Sequence, residues 1–282
     1  MLQLGEHRLR MVSGGDFRLD GGAMHGVVPK TIWSKLVGCD ELNRVTYSTN
    51  CLVVDTPGGE RVLVETGNGD KFSAKERAIY GIEQHGCLLR ALAAESIAPE
   101  SIDVVVMTHL HFDHAGGTTV LNGGAASLAF PRAEYWLQRS HWNWAHAPSE
   151  RDRRSFRASE YELLESSGQL RLLDRPTTLF DVVHLTVSDG HTRGLQIPRV
   201  ESGGQSVVFP SDLIPTVSHL NLPWIAAYDL EPMKVLEEKR ALLRSAVENG
   251  WSIFFEHDPN VVACTLRRAA NGEAEVAATE AF

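Results

Sequence analysis

One stretch of the chain, Asp103–Gly117, restricts the possible folds more than any other. It reads DVVVMTHLHFDHAGG. The three valines form a β-branched run that is typical of a buried strand, and the two closing glycines permit a tight turn. Between them lie four side chains that can bind a metal, all within six positions: His109, His111, Asp113 and His114. The sequence therefore predicts a buried strand that ends in a dense group of metal ligands.

The spacing of these four residues indicates two directions of binding. Side chains two positions apart in an extended segment point to the same side, so His109 and His111 can reach one cation together. If the chain then turns, Asp113 and His114 can serve a second cation, about 3.5–4 Å from the first in hydrolytic two-metal sites. Imidazole and carboxylate ligands suit zinc, and they also suit iron, manganese and cobalt.

The pattern H-x-H-x-D-H after an apolar strand resembles the signature of the metallo-β-lactamase-fold hydrolases. Further blocks match that family's pattern in the same order, between about residues 50 and 258. Gly190–Gly194 matches G-H-T-x-G, Asp212 follows a strand where the family places its bridging carboxylate, and His257 follows the last apolar strand. Glu65 stands where many members have an acid that supports the ligands from behind, although simple capping explains it equally well.

The resemblance implies an α+β fold in one domain over residues 1–282. This fold is an αββα sandwich, with two mixed β-sheets between layers of helices. It implies one cation bound by His109, His111 and His191, a second bound by Asp113, His114 and His257, and Asp212 as the bridge between them. A hydroxide shared by two divalent ions, most simply Zn2+, would then attack the substrate. Asp113 would also orient that hydroxide.

The full pattern looks most similar to the lactonase and organophosphate-hydrolase branch of the family. This likeness predicts a lactone or related ester as substrate. Two positions depart from the acyl-homoserine lactonases: Pro215 stands where they often have tyrosine, and Leu195 stands where they often have histidine. Tyr228 or His219 could supply the missing proton donor, and both could equally be packing residues.

Other functions remain open on the same ligand set. A glyoxalase-II-like thioesterase would use the same metals and would be identified with glutathione thioesters. Phosphotriester and phosphodiester hydrolysis also fit, but a formal charge of −9 argues against a nucleic-acid surface. True β-lactamases usually have cysteine instead of Asp212, and a diiron oxygen reductase would need a flavin domain. A non-catalytic metal-binding module would be expected to have lost ligands, and none is lost here.

The composition indicates the setting of the protein. No apolar run is long enough to cross a membrane, and the N-terminus lacks the apolar core of a secretory signal. The four cysteines are scattered without a C-x-x-C pair, which favours a reducing cytoplasm. We expect a small-molecule ester or lactone substrate, no nucleic-acid partner and no membrane association.

The segment 131–168 is predicted to be a helical insertion that shapes the substrate pocket. Arg132–Trp144 has good helix formers, and Ser149 is a candidate cap for a second helix that ends near Ser166. The tryptophans of this segment would anchor the helices, line a pocket or form a homodimer interface. Its four arginines alternate with acids, as on a solvated helix face: Arg151, Arg153, Arg154 and Arg157.

Two segments nearer the N-terminus carry further predictions. Ala74–Ala94 has the apolar spacing of one helix. Gly21–Trp33 is either an ordinary connection or a mobile flap over the pocket, to which His25 would contribute.

Overall fold

The structure is a computed structural model, and it describes residues 1–83 and 86–282. The strands are β1 Leu2–Leu4, β2 His7–Asp20, β3 Arg44–Asp55, β4 Arg61–Val64, β5 Val104–Val106, β6 Thr119–Asn122, β7 Ala125–Leu128, β8 Glu134–Gln138, β9 Leu170–Leu173, β10 Thr177–Leu179, β11 Val183–Ser188, β12 Leu195–Ser202, β13 Gln205–Val208, β14 Ser252–Phe254, β15 Ala263–Arg268 and β16 Ala274–Glu280. The helices are α1 Gly21–His25, α2 Lys30–Trp33, α3 Ala74–Tyr80, α4 Cys87–Ala94, α5 Phe112–Ala115, α6 Arg139–His146, α7 Ala158–Tyr161, α8 Leu163–Ser167 and α9 Pro232–Asn249.

Two seven-stranded sheets form the body. The first has the order β1-β2-β3-β4-β5-β8-β9, and the second has the order β10-β11-β12-β13-β14-β15-β16. Both sheets are mixed. β5 pairs in parallel with β4 and β8, and β13 pairs in parallel with β14, whereas the hairpins at the sheet edges are antiparallel. Strands β6 and β7 form a separate small hairpin.

The sheets pack face to face with helices on both outer sides. Successive side chains of a strand point to opposite faces, so β5 serves two cores at once. Val104 and Val106 lie in the core between the sheets, together with Phe209 and Phe254 of the second sheet region. Val105 points the other way into a core that includes Leu88 and Leu92 of α4. The second sheet is covered by α9 through Val235 and Leu243. This is the αββα sandwich that the resemblance implies.

The segment 131–168 is not wholly helical, which corrects the prediction for Arg132–Trp144. Its first part is strand β8, and only Arg139–His146 is helical. β8 lies between β5 and β9, with Tyr135 and Leu137 completely buried on one face. Pairing with two neighbours and burial of alternate residues outweigh the intrinsic helix preference of this sequence.

The second helix predicted for this segment is also wrong in its extent. A 3-10 turn at Arg153–Ser155 precedes the two short helices α7 and α8. Ser149 does not begin a long helix, because its hydroxyl donates to Asp152 and accepts from the backbone N–H of Arg151 in a local turn. The tryptophans anchor the segment: Trp142 packs in the core, and the indole of Trp144 donates to Asp152.

The predicted helix Ala74–Ala94 is divided in the described residues. α3 ends at Gly81, which adopts a left-handed conformation with φ of 59°, and α4 begins at Cys87. Positions 84 and 85 of that prediction lie outside the described residues. The segment Gly21–Trp33 contains the short helices α1 and α2, separated by a turn.

Candidate metal centre and its cavity

Strand β5 leads directly into the predicted ligand loop. His111 is extended, with φ of −64° and ψ of 157°, and it immediately precedes α5, which contains Asp113 and His114. The chain therefore turns between the two pairs of candidate ligands, which is the condition under which the spacing allows two cations. After α5 the backbone at Gly116 passes very close to the backbone at Asn68. A Cβ added at Gly116 would lie 2.0 Å from the carbonyl oxygen of Asn68. Only glycine fits such an approach.

The first group of ligand atoms comes from three separate loops. Nε2 of His109 lies 3.0 Å from Nδ1 of His111, and that atom lies 3.2 Å from Nε2 of His191. Asp212 joins this group, with Oδ2 3.1 Å from Nε2 of His191. Each of the four residues offers one ligand atom, and these atoms lie within 4.8 Å of one another.

The second group lies on the other side of Asp212. Nε2 of His257 lies 3.3 Å from Nε2 of His114. The two Asp113 carboxylate oxygens are each 3.8 Å from one of these nitrogens. The structure thus brings the second predicted set, Asp113, His114 and His257, within one ligand shell.

Asp212 reaches both groups at once. Its Oδ2 is 3.4 Å from Nε2 of His114, and its Oδ1 is 3.0 Å from Nε2 of His257. Oδ1 is buried and accepts no well-aligned hydrogen bond within the described part of the chain. A buried carboxylate oxygen without a hydrogen bond fits an atom that is directed at a cation. The residue before it, Ser211, has a φ of 50°, a strained conformation that aims the carboxylate inward.

Four of the five imidazoles in the cluster have a polar partner at the nitrogen that faces away from it. Nδ1 of His191 lies 2.7 Å from Asp229 Oδ1. Nδ1 of His257 lies 2.7 Å from the carbonyl oxygen of Ser48, and Nδ1 of His109 lies 3.0 Å from the hydroxyl of Thr108. Nδ1 of His114 lies 3.0 Å from Oε1 of Glu256. Such partners fix the tautomer and the ring orientation of metal-binding histidines.

Glu65 lies behind the candidate ligands. Of the two roles that the sequence suggested for it, support of the ligands and simple capping, this position fits the first. Its Oε1 accepts the backbone N–H of Thr108 at 2.8 Å, and its Oε2 is 3.7 Å from Nδ1 of His114. Burial and the neighbouring Glu256 raise the pKa of Glu65 to about 7. Glu65 therefore both caps the end of β5 and contacts a ligand from behind. It forms a further ligand set with His109 and His114, which overlaps the two groups already described.

The electrostatics of the cluster suit cations. Burial lowers the pKa of His109 and His111 well below the ordinary histidine value, so both imidazoles stay neutral with a free lone pair. Burial acts against the ionised form of Asp212, but the surrounding imidazoles, His114 foremost, outweigh it and hold its pKa well below the ordinary range. The donor set of imidazoles and ionised carboxylates, without a thiolate, fits zinc and the other borderline divalent metals.

Comparison with known proteins agrees with this geometry. The model of the metallo-beta-lactamase superfamily matches residues 44–257. The chain belongs to this superfamily. The protein is accordingly a metal-dependent hydrolase, and the resemblance stated from its motifs is confirmed. The described residues contain no helix that is both long and apolar enough to span a membrane.

Several solved structures are similar over nearly the whole chain. A probable metal-dependent hydrolase from Staphylococcus aureus is 29% identical, with a TM-score of 0.89, and the match covers 99% of this chain and 100% of that one. AidC, a dizinc quorum-quenching lactonase, is 21% identical, with a TM-score of 0.80 over 100% and 97%. The hydrolase AbOPH is 19% identical, with a TM-score of 0.81 over 100% and 97%. At these lower identities the last two show a shared fold.

A cavity of about 260 Å³ opens onto the candidate metal-ligand cluster of this superfamily member. Its floor contains ligand residues of both groups: His111, Asp113, His191, Asp212 and His257. Its walls are mostly apolar or aromatic and include Leu19, Met24, Tyr80, Phe112, Pro215, Ala226 and Tyr228. Arg151, Arg154 and Ser155 complete the lining. The cavity can therefore receive a small, largely apolar molecule with its reactive group over the ligands.

Tyr228 and His219, the two predicted proton donors, have different positions. Tyr228 lines the cavity and is 40% exposed. Burial of its hydroxyl raises its pKa to about 12, so the phenol keeps its proton at neutral pH.

His219 is not among the residues that line the cavity, which favours the packing alternative over a role as proton donor to substrate. It is almost wholly buried, with Nδ1 2.7 Å from the Thr216 hydroxyl and Nε2 2.9 Å from the carbonyl oxygen of Met24. Burial lowers its pKa to about 3. It stacks on His25, which stacks in turn on Trp33. His219 and His25 are packing residues of one aromatic stack, while Met24 of the predicted flap does line the cavity.

Sequence reasoning missed several supporting residues. Asp229 and Glu256 hold ligand histidines from behind, yet neither lies in a recognisable motif. The position of Glu256 directly before His257 is the one available indication in the sequence. The prediction that the arginines near residue 151 are solvated agrees with the exposure of Arg151, Arg153 and Arg154, but it did not include that Arg151 and Arg154 also line the cavity.

Proposed function

We propose that this protein is a two-metal hydrolase that opens lactones or cleaves related esters. The observation that carries the proposal is the position of Asp212. Its two carboxylate oxygens approach two separate groups of imidazoles at the floor of an apolar cavity. A carboxylate can bind two cations at once, whereas one imidazole nitrogen cannot.

His109, His111 and His191 would hold one cation, Asp113, His114 and His257 the other, and Asp212 would bind both. We propose zinc at both positions. When bound, two such ions supply a water of lowered pKa and an electrophile for the substrate oxygen.

The chain's own groups would then complete the reaction. Asp113 lines the cavity at the ligand cluster, where its carboxylate can accept a proton from the attacking water and orient it. Tyr228, protonated at neutral pH, can donate a hydrogen bond to the oxygen that gains charge when the ester carbonyl is attacked. In this proposal Tyr228 replaces the tyrosine that acyl-homoserine lactonases often have at the position of Pro215.

The apolar walls favour an ester or lactone with a hydrocarbon portion. Met24, Phe112 and Pro215 offer surface for alkyl groups and exclude water from the reacting bond. The names of similar structures support the same substrate class. AidC is a lactonase seen with N-hexanoyl-L-homoserine, and another similar structure is an N-acyl homoserine lactone hydrolase with product bound at its catalytic metal centre.

A substrate panel with measured metal content tests the proposal. The purified protein would be assayed for metals by elemental analysis and then given lactones, aryl esters, glutathione thioesters and phosphotriesters. We expect two metals per chain and the highest kcat/KM on lactones or esters. Preference for glutathione thioesters would instead indicate a glyoxalase-II-like thioesterase. Two metals without turnover of any member would contradict the proposed reaction.

A further inference from the structure

Four arginines follow one another closely in the chain but have two different environments. Arg153 forms an ion pair with Glu150 at 3.1 Å. Arg157 contacts Glu160 and Glu76, each at 3.1 Å, and stacks over the ring of Phe72. Arg153 and Arg157 are thus neutralised by carboxylates of this chain, and neither lines the cavity.

Arg151 and Arg154 are the two that line the cavity. Neither forms an ion pair with any carboxylate of the described chain, and the guanidinium of Arg154 forms no hydrogen bond there either. Arg151 donates to the carbonyl oxygen of Ala227, beside Tyr228. The neighbouring acid, Asp152, is directed inward, where it accepts from Trp144 and Ser149 at 2.7 Å each. Asp152 therefore does not neutralise these two positive charges.

The remaining charges of the cavity do not neutralise them. Its two carboxylates, Asp113 and Asp212, face the imidazole cluster. Both arginines are exposed residues that line the cavity, so their guanidinium groups are hydrated in the free protein and are open to a substrate. A guanidinium group presents a planar fork of N–H donors that matches a carboxylate, and such charge-assisted pairs are stronger than neutral hydrogen bonds.

We propose that Arg154, assisted by Arg151, binds a second, anionic group of the substrate, a carboxylate at some distance from the ester. This inference rests on the proposed function and narrows its substrate class. The substrates would be lactones with a carboxylate-bearing side chain, or half-esters of dicarboxylic acids. The reacting carbonyl lies over the metal ligands, the hydrocarbon spacer lies against Phe112 and Met24, and the free carboxylate meets Arg154.

Matched substrates test the inference. Lactones are prepared in pairs: one member has a carboxylate at the end of its side chain, and the other has the isosteric, neutral primary carboxamide there. The series varies the length of the hydrocarbon spacer between the lactone and this terminal group. At the best spacer we expect the wild-type enzyme to prefer the carboxylate by about tenfold in kcat/KM, mainly through KM. Arg154→Ala and Arg154→Gln should reduce this ratio to about one, and Arg154→Lys should keep part of it.

Arg153→Ala is the matched control. Arg153 belongs to the same turn and carries the same charge, but it is paired with Glu150 away from the cavity. Its removal should leave the ratio of carboxylate to carboxamide unchanged. A ratio of about one in the wild type at every spacer length, or a preference that Arg154→Gln does not alter, would overturn the inference.

A binding experiment separates this inference from the proposed reaction. Calorimetry compares linear dicarboxylates with their monoamides on the metal-loaded protein. Both ligands have one carboxylate for the metals, so they differ only at the far end. Tighter binding of the dicarboxylate that is lost in Arg154→Gln supports the inference, even if no lactone is hydrolysed. Absence of lactone hydrolysis would refute only the proposed reaction. Equal binding of both ligands refutes the anionic subsite even where turnover is found.

Discussion

Asp229 Oδ1 lies 2.7 Å from Nδ1 of His191, although the residues are 38 positions apart in the chain. Both side chains are buried. The carboxylate fixes the imidazole so that Nε2 faces Asp212 and the other ligands. The loop that carries Asp229 also carries Tyr228, so one segment both supports a metal ligand and lines the cavity.

Asp229→Ala is expected to weaken metal binding by about 10–100-fold, because a carboxylate behind a ligand histidine has an effect of that order. Asp229→Asn should have a smaller effect, since its amide oxygen can still accept from Nδ1. Metal titration with a competing chelator measures both variants. Asp174→Asn is the control, because Asp174 pairs with Arg139 at the surface. Equal metal affinity in Asp229→Ala and the wild type would contradict this role.

Asp212→Ala and His109→Ala are expected to abolish hydrolysis without unfolding the chain. Both residues are proposed ligands and neither belongs to the apolar cores, so the sandwich should remain. Elemental analysis should show fewer than two metals per chain in each variant, and circular dichroism should show unchanged secondary structure. Wild-type activity at full metal content in either variant would contradict the assigned site.

Tyr228→Phe is expected to lower kcat by about 10–100-fold with a smaller change in KM, because the hydroxyl acts on the oxygen that gains charge during attack. His219→Gln is the comparison. It should lower the thermal midpoint, because both ring nitrogens of His219 have buried partners, but should leave kcat within about threefold. The opposite pattern, with kcat lost only in His219→Gln, would return the catalytic role to the histidine.

The central strand and the four candidate ligands that follow it could be predicted from local sequence, whereas the full ligand set came from the resemblance of the ordered motifs to the family. Val104–Val106 is a β-branched run, as is typical of an interior strand. Its side chains point alternately to the two faces of the sheet and so pack into both cores. The ligand histidines follow apolar strands, so they lie together once the strands pair. Glu134–Gln138 could not be predicted in this way, because its strand structure comes from pairing with β5 and β9 and not from its own residues.

The surroundings of the site depend on tertiary contacts that leave little trace in one sequence. Asp229 is recognisable only once it is seen beside His191. Arg153 and Arg154 are adjacent and chemically identical, yet one pairs with Glu150 and the other lines the cavity. Which arginine faces the cavity is decided by the turn at Arg153–Ser155, which the helical interpretation of this segment did not include.

Lys239 of α9 secures the segment that leads to Tyr228. Its buried Nζ donates to the carbonyl oxygens of Asn221 at 2.7 Å and Trp224 at 2.9 Å. Burial lowers its pKa to about 7. Lys239→Met leaves these carbonyl groups without their donor, which costs about 1–3 kcal/mol for each buried group. We expect the amides of residues 221–230 to exchange hydrogen at least about tenfold faster, with lower kcat/KM.

Arg240→Ala provides the control for that exchange experiment. Arg240 is the next residue of α9, and its side chain is exposed. Its removal should leave hydrogen exchange in residues 221–230 unchanged. If Lys239→Met exchanges as slowly as Arg240→Ala, the lysine does not hold this segment.

The metal-free protein is expected to lose stability as the pH rises, whereas the metal-loaded protein is expected to lose it as the pH falls. In the metal-free protein, burial acts against the charged imidazoles, but Asp212 outweighs it and raises the pKa of His191 to about 10 and of His257 to about 9. The unfolded chain has histidines near about pH 6.5, so the folded metal-free state binds more protons above that pH. Its stabilisation is complete below about pH 6.5 and is lost as the pH rises through about 9–10.

In the metal-loaded protein the same nitrogens hold cations, for which protons compete at low pH. The thermal midpoint of the loaded protein minus that of the metal-free protein should therefore increase between about pH 6 and about pH 9. Scanning fluorimetry on both forms measures this difference. Asp212→Asn provides the control, because without the carboxylate the two histidines lose the charge that raises their pKa values. The metal-free variant should then show a flatter pH dependence, and parallel curves for both wild-type forms would mean that these imidazoles do not face the metals.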